Sequence, residues 1–411
     1  MPKNDNQLDA LKLQHGVDKV YSWSKISCFL EDKWTYFLKY VLHTKEDKPE
    51  NIYLSLGTAV HSQMENFYLK NLSNAEMVEN FKTSYDLARN MYGKNFVYIG
   101  DNLDEEARKK AEETNEKLAR KFVMCCSHFL ANVKKEEGMC ECEKFYPCVI
   151  TDAGGKNYLI QCYIDFANWK SDGSVDIIDY KTSTFYDPKK AEKLKRQLEF
   201  YGIALSQNEG ISCDKIHLAW NFIKYINVKY IQKNGKEKER RLERNDIGGH
   251  FDNEGKLTGG LQAVVKSMLK ELGYTEDDAY EILVEFATTN SMSVLPQEIQ
   301  DRFTFSNCIL PIEFNEQEAS LLEGFIIDTI KEIEMREEEY ERTKDESLWW
   351  QDVSYEDVYR LENLSGYSPK LHKPYQEYLA KVKAREEEGQ ENPEIVGGSA
   401  FSKLWGSKTS E

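Results

Sequence analysis

The sequence predicts an α/β protein: a mixed central sheet flanked by helices, with a helical N-terminal part and a helical insertion. Three observations predict it. Apolar residues recur at the helical period as far as about residue 136 and then change to a period of two. Beyond that change, strand-like runs are interleaved with helical ones. One of those runs, VDIID, is apolar enough to be a central strand.

In chain order, YSWSKISCFLEDKWTYFLKYVL predicts an amphipathic helix with Ser22 or Ser24 as N-cap and Ile26, Phe29, Leu30, Phe37, Leu38 and Val41 on one face. A second helix is expected from about Gly57, and further helices over roughly 74–91 and 104–136. CECEKFYPCVIT, KNYLIQCYIDFANWK and SVDIIDYKTST then predict three consecutive strands, with turns at Gly154-Gly155 and Ser171-Asp172-Gly173. A helix over about 188–206 starts after Asp187-Pro188, where proline suits the first turn. The strand KIHLAWNFIKYINVKYIQ follows, leading into a basic hairpin around Asn234-Gly235. Residues 245–300 predict the helical insertion, and FTFSNCILPIEF returns to strand. Asn315 caps a long final helix, with Glu318 at the capping-box position.

Composition places limits on function. The chain has 411 residues and is 40% hydrophobic, which suits a folded chain with a full core. No run is apolar enough to span a bilayer, and the N-terminus has no signal-peptide core, so a cytoplasmic location is expected. Nine cysteines form no zinc-finger spacing. Cys140, Cys142 and Cys148 come nearest to a cluster, yet fit better as small buried hydrophobes on strands. A net charge of −17 argues against a passive nucleic-acid coat but leaves room for an enzyme that grips DNA locally.

The chemistry-bearing residues lie on adjacent strands. Asp165 stands in YIDFA, and Asp179 and Lys181 in DIIDYKT. Side chains two apart on a strand share a face, so Asp179 and Lys181 project together while Tyr180 points away. Hydrolysis of a phosphodiester would use such a group: carboxylate oxygens hold hard divalent ions, and a lysine positions water or stabilises phosphate charge. Taken alone, the triplet reads better as a strand-end salt bridge.

Four motifs in order resemble the PD-(D/E)XK nuclease superfamily, and within it the RecB-like exonuclease branch with its AddB-type and CRISPR-adaptation nucleases. They are GTAVH at 57–61 followed by Glu65, YID at 163–165, DYK at 179–181 and QLEFYG at 197–202. Ser22-Trp23-Ser24 also resembles that branch's entry to the first helix. The resemblance implies a restriction-endonuclease-like core and hydrolysis of DNA with magnesium or manganese. It implies metal binding by His61, Asp165, Asp179 and the Tyr180 main-chain carbonyl. Glu65, one helical turn after His61, could serve a second ion directly or through water, or be a solvated helix carboxylate, and Glu143 on the preceding strand is a further candidate near the metal. Catalysis would fall to Asp165, Asp179 and Lys181. Gln197 and Tyr201 would sit near the site and contact the DNA backbone.

Two basic clusters are candidate phosphate contacts: Lys189, Lys190, Lys193, Lys195 and Arg196, and Lys233, Lys236, Lys238, Arg240, Arg241 and Arg244. The cysteine positions that hold an iron–sulfur cluster in many relatives are not matched, since Glu31-Asp32-Lys33 stands at the first and no Cys follows Cys308. No cluster is therefore expected. No helicase Walker motif is present, so unwinding would need a partner.

The expected organisation is an extension over 1–19, a nuclease domain over 20–315, a helical part over 316–382 and a flexible tail over 383–411. The tail's AFSKLWG island is a candidate docking segment for a helicase, annealing or single-strand binding protein; the alternative is that it folds back onto its own domain. For the whole chain, the rival to a nuclease is a catalytically silent DNA-end-binding or scaffold protein that keeps the fold.

Overall fold

Ser22 accepts a hydrogen bond from the Lys25 N–H and so caps the helix that begins at Trp23, as one of the two serines was expected to do. The structure, a computed structural model, describes residues 5–99, 103–186, 188–232 and 235–387. It opens with α1 (Asp5–His15), the short strand β1 (Val20–Ser22) and α2 (Trp23–Glu31). The single helix expected as far as Val41 breaks at Asp32. That residue is extended, with φ −159°, and its carboxylate caps the N–H groups of Trp34 and Thr35 at the start of α3 (Lys33–Tyr36). A π turn over Phe37–Val41 continues α3.

Helix α4 (Ile52–Leu69) starts more than a turn before Gly57, because Asn51 caps it through the Tyr53 N–H. Helix α5 (Asn74–Asp86) carries a capping box of Ser73 and Glu76, and α6 (Glu105–Asn132) completes the helical N-terminal part.

The first two expected strands each divide into two. The run from Met139 gives β2 (Met139–Phe145) and β3 (Cys148–Thr151); the next gives β4 (Asn157–Gln161) and β5 (Tyr163–Trp169). Pro147 cannot donate to a ladder, and opposite it the Tyr146 N–H bonds the Cys162 carbonyl at 2.8 Å. The antiparallel pair bends there and passes from one sheet to another. Strand β6 (Val175–Lys181) stays in the main sheet. The expected helix after it is interrupted at Lys195, giving α7 (Pro188–Leu194) and α8 (Arg196–Glu209), which Gly210 ends at φ 67°.

The long β7 (Ile216–Ile231) returns as β8 (Glu237–Glu243). The insertion holds a small hairpin of β9 (His250–Phe251) and β10 (Leu257–Thr258), then α9 (Gln262–Glu271), α10 (Glu276–Thr289) and α11 (Gln297–Gln300). Strand β11 (Phe303–Ile312) leads to α12 (Glu316–Thr343), capped by Asn315. The expected capping-box role of Glu318 is not taken up; its carboxylate accepts from Lys195 at 2.9 Å. Helices α13 (Tyr355–Asn363) and α14 (Lys373–Glu387) follow. Lys383–Glu387, expected as the start of a flexible tail, is the last turn of α14, a stretch of good helix formers. The AFSKLWG island lies outside the described residues.

The main sheet is mixed, in the order β11-β7-β6-β5-β2, with β6 and β7 parallel and the other pairs antiparallel. Strand β8 takes over beside β7 where β6 ends. A smaller sheet, β1-β4-β3, packs with α2, α8 and α12 on one face of the main sheet, through Ile26, Ile160, Leu198, Leu218 and Ile326. Helices α4, α5 and α6 cover the other face through Val60, Phe81, Phe129, Phe166 and Ile223. The insertion builds its own core of Val265, Leu269 and Phe286 on Val228 and Leu242 at the far end of β7 and β8. Burying both faces explains why Val175, Ile177 and Ile178 are apolar on both sides of β6. No described helix is long and apolar enough to cross a membrane.

Candidate metal centre

Strands β5 and β6 pair antiparallel from Trp169–Val175 to Ala167–Ile177 and then part. Two residues further along each strand stand Asp165 and Asp179, on either side of the opening. Strand β6 keeps its other edge on β7 as far as Lys181–Phe222, so the parting exposes only the side facing β5. The Tyr180 side chain points to the opposite face, buried against Phe129 and Phe166, as the alternation requires. Helix α4 closes the opening: the His61 Nε2 lies 2.9 Å from the Tyr180 carbonyl oxygen and the Nδ1 lies 3.7 Å from Asp165 Oδ1.

One ligand atom from each of His61, Asp165 and Asp179 can be chosen so that all lie within 4.8 Å of one another. Lys181 Nζ is 2.5 Å from Asp179 Oδ2, an ion-pair contact whose angles do not make it a hydrogen bond, so that buried oxygen has no hydrogen-bond partner. Burial raises the Asp165 carboxyl to about 6; His61 and Lys181 oppose the rise, while Asp179 and Glu143 add to it. Burial works most strongly against the Lys181 charge, yet Asp179, Tyr186 and Asp165 together outweigh it and the net shift is upward. The pocket therefore holds two carboxylates, one of them paired with the Lys181 ammonium, next to an imidazole. That donor set fits a divalent cation.

Glu65 lies one helical turn after His61 but does not join the close group of ligand atoms. Glu143, on β2 opposite Asp165, has a left-handed backbone at φ 50°, and its charge reaches both Asp165 and Cys142. Cys142 is pushed up to about 12, first by burial, and behaves as a small hydrophobe. Gln197 donates to the Tyr201 hydroxyl at 2.9 Å. Burial, then Asp165 and Asp179, hold that hydroxyl well above its ordinary pKa, so α8 presents Tyr201 to the site.

The basic clusters separate into spent and available cations. Lys195 is bound by Glu192, Glu199 and Glu318. Arg244 is buried and bonds Asn307, so neither it nor Lys195 is a phosphate contact. Arg240 donates to the Gly260 carbonyl, and Arg241 stacks 3.2 Å above the Phe185 ring. Lys193 and Arg196 form no ion pair among the described residues, Arg196 lying 4.0 Å over Phe325. Lys233 and the Lys190 side chain lie outside what the structure describes. Sequence reasoning passed over Tyr186, whose ring packs on Trp220 and Phe222 and whose hydroxyl affects Lys181. It stands in an irregular segment, where no periodicity marks it.

Fold and site together define a class: an α/β core whose parting central strands present two carboxylates and a lysine. A family model described as the PD-(D/E)XK nuclease superfamily matches residues 20–298. The chain belongs to that superfamily, whose members are generally nucleases that use divalent metals. No curated protein matches. Among solved structures, the crystal structure of SSO0001 is 14% identical, over 66% of this chain and 98% of that one, with a TM-score of 0.17. A superposition that poor carries no argument.

Proposed function

We propose that the chain is a magnesium- or manganese-dependent DNA nuclease of the RecB-like branch, an exonuclease working on DNA ends in recombination, repair or phage genome processing. The observation that carries the reading is the meeting of His61, Asp165, Asp179 and Lys181 where β5 and β6 part. An ion held by His61, Asp165, Asp179 and the Tyr180 carbonyl would neutralise charge developing on the scissile phosphate.

Lys181, paired with Asp179 and facing the same opening, would donate a hydrogen bond to a phosphate oxygen or to the attacking water. Tyr201, held by Gln197, offers a further donor toward the phosphate. Lys190, Lys193, Arg196, Arg240 and Arg241 would supply phosphate contacts away from the chemistry.

The test is a digest of end-labelled single- and double-stranded DNA with magnesium, with manganese and with EDTA, alongside Asp179→Ala. Metal-dependent release of mononucleotides or short fragments by the wild type alone supports the reading. No cleavage under any metal condition overturns it.

A further inference from the structure

Tyr186 stands beside the lysine of the site, although the chain has run past it. Strand β6 ends at Lys181, and its neighbours on β7 are Trp220, in register with Asp179, and Phe222, in register with Lys181. In-register neighbours in a sheet point to the same side, so these two rings share a face with Asp179 and Lys181. The Tyr186 ring meets both edge-on, its centroid 5.1 Å from that of Trp220 and 4.8 Å from that of Phe222. The segment after Lys181 therefore turns back and lays the buried tyrosine level with the lysine. Phe185 fixes the backbone just before it, between the Phe222 ring at 4.7 Å and the Arg241 guanidinium at 3.2 Å.

The polar atoms match this placement. The Tyr186 hydroxyl oxygen accepts from Ser183 Oγ at 3.2 Å, which sets the direction of the phenol. Burial raises that hydroxyl above its ordinary pKa, and the charges acting on it are those of Lys181 and Asp179. The contact of Lys181 Nζ with Asp179 Oδ2 is an ion pair without hydrogen-bond geometry. An ammonium carries three donors and a phenol oxygen two lone pairs, of which Ser183 takes one.

We propose that Tyr186 is a positioning residue for Lys181: its hydroxyl, oriented by Ser183, anchors the ammonium so that it faces the opening between β5 and β6. Under the nuclease reading Asp179 also has a cation to hold. A lysine anchored to that carboxylate alone would be pushed aside by the like charge, whereas a neutral oxygen holds it without competing for the carboxylate. The inference rests on the nuclease reading and deepens it, naming what aims the lysine of that site.

The test compares wild type with Tyr186→Phe, which keeps the ring on Trp220 and Phe222 and removes only the oxygen. With manganese and end-labelled DNA, kcat should fall about tenfold while KM for DNA and manganese affinity stay within about twofold. In a Lys181→Ala background the same change should cost nothing further, because a residue that acts through the lysine has nothing left to act on. Ser183→Ala, which leaves the phenol but removes the group that orients it, should give the same pattern at smaller amplitude. A merely structural tyrosine would instead lower the melting temperature, or lower cleavage equally in both backgrounds.

Metal-free protein supplies an arm that needs no cleavage. Mass spectrometry would follow acetylation of Lys181 against that of the exposed lysines, and Tyr186→Phe should speed it at least about threefold, the equivalent of one weak hydrogen bond lost. Wild-type kcat in Tyr186→Phe, an equal loss in the Lys181→Ala background, weakened manganese binding or unchanged labelling would each overturn the assignment. If wild type cuts no DNA with manganese, the nuclease reading fails, and the labelling alone decides whether Tyr186 anchors the lysine.

Discussion

The His61 Nε2 stands 2.9 Å from the carbonyl oxygen of Tyr180, a residue whose side chain faces the other way. That contact pins α4 to the strand carrying Asp179 and Lys181. The donor set is thus assembled by a helix–strand contact between residues 119 apart in sequence, before any ion binds.

Removing a metal carboxylate and removing the lysine should have different signatures. Asp179→Ala is expected to lose manganese binding and cleavage together, with the rate falling a hundredfold or more. Lys181→Ala should lose cleavage to a similar extent yet still bind manganese, because the carboxylates remain. Manganese titration alongside a cleavage assay separates the two; wild-type cleavage in both variants would remove the site assignment.

Metal affinity should depend on pH near 6. Burial raises the Asp165 carboxyl to about 6, so the proton competes with the ion below that value. Affinity for manganese is expected to fall about tenfold per pH unit below 6 and to level off above it. For the metal-free protein the sign is set by a folded pKa above the unfolded one. This group's contribution is fully present below the ordinary carboxylate pKa and is lost as pH rises through about 6. Calorimetric titration at several pH values checks the first statement, and melting in EDTA the second.

Asp32 ties the two ends of the fold. Its carboxylate caps α3, accepts from Arg360 at 3.0 Å and lies 2.9 Å from His372 Nε2. Burial acts against its charge, but the His372 and Arg360 contacts win and hold the carboxyl below the ordinary range. Asp32→Ala should cost on the order of 3 to 5 kcal/mol, the usual cost of stripping one partner from a buried pair. A folded pKa below the unfolded one contributes stability above about pH 4 and loses it as pH falls further. Denaturant melts of wild type and Asp32→Ala should therefore converge in acid.

Lys224 is a buried cation that the proposed chemistry does not use. It is 0% exposed, its Nζ has no hydrogen-bond partner among the described residues, and it lies 4.6 Å from the centre of the Phe122 ring. Burial lowers it to about 8. Lys224→Met should stabilise the protein by about 1 kcal/mol or more. In the wild type the unfolded chain holds the proton more tightly, so stability should rise between about pH 8 and 10. A flat pH dependence, with no gain from methionine, would show that the charge is satisfied.

The sequence by itself determined what depends on neighbours along the chain. The alternation that puts Asp179 and Lys181 on one face, the Asn315 cap, the strand of β7 and the one-face pairing of Gln197 with Tyr201 are all set by spacing and local hydrogen bonding. Only the tertiary structure decided where the strand-like runs bend: CECEKFYPCVIT and KNYLIQCYIDFANWK each keep a strand-like pattern throughout, although they divide near Pro147 and Cys162 where the pair passes from one sheet to the other. Partner choice was equally hidden. Asp32 finds His372 at a separation of 340 residues, and Lys195 finds Glu318 at 123. A charge's worth depends on what the fold brings within hydrogen-bond reach: packing neutralises Lys195, while Lys193 and Arg196 beside it make no ion pair among the described residues.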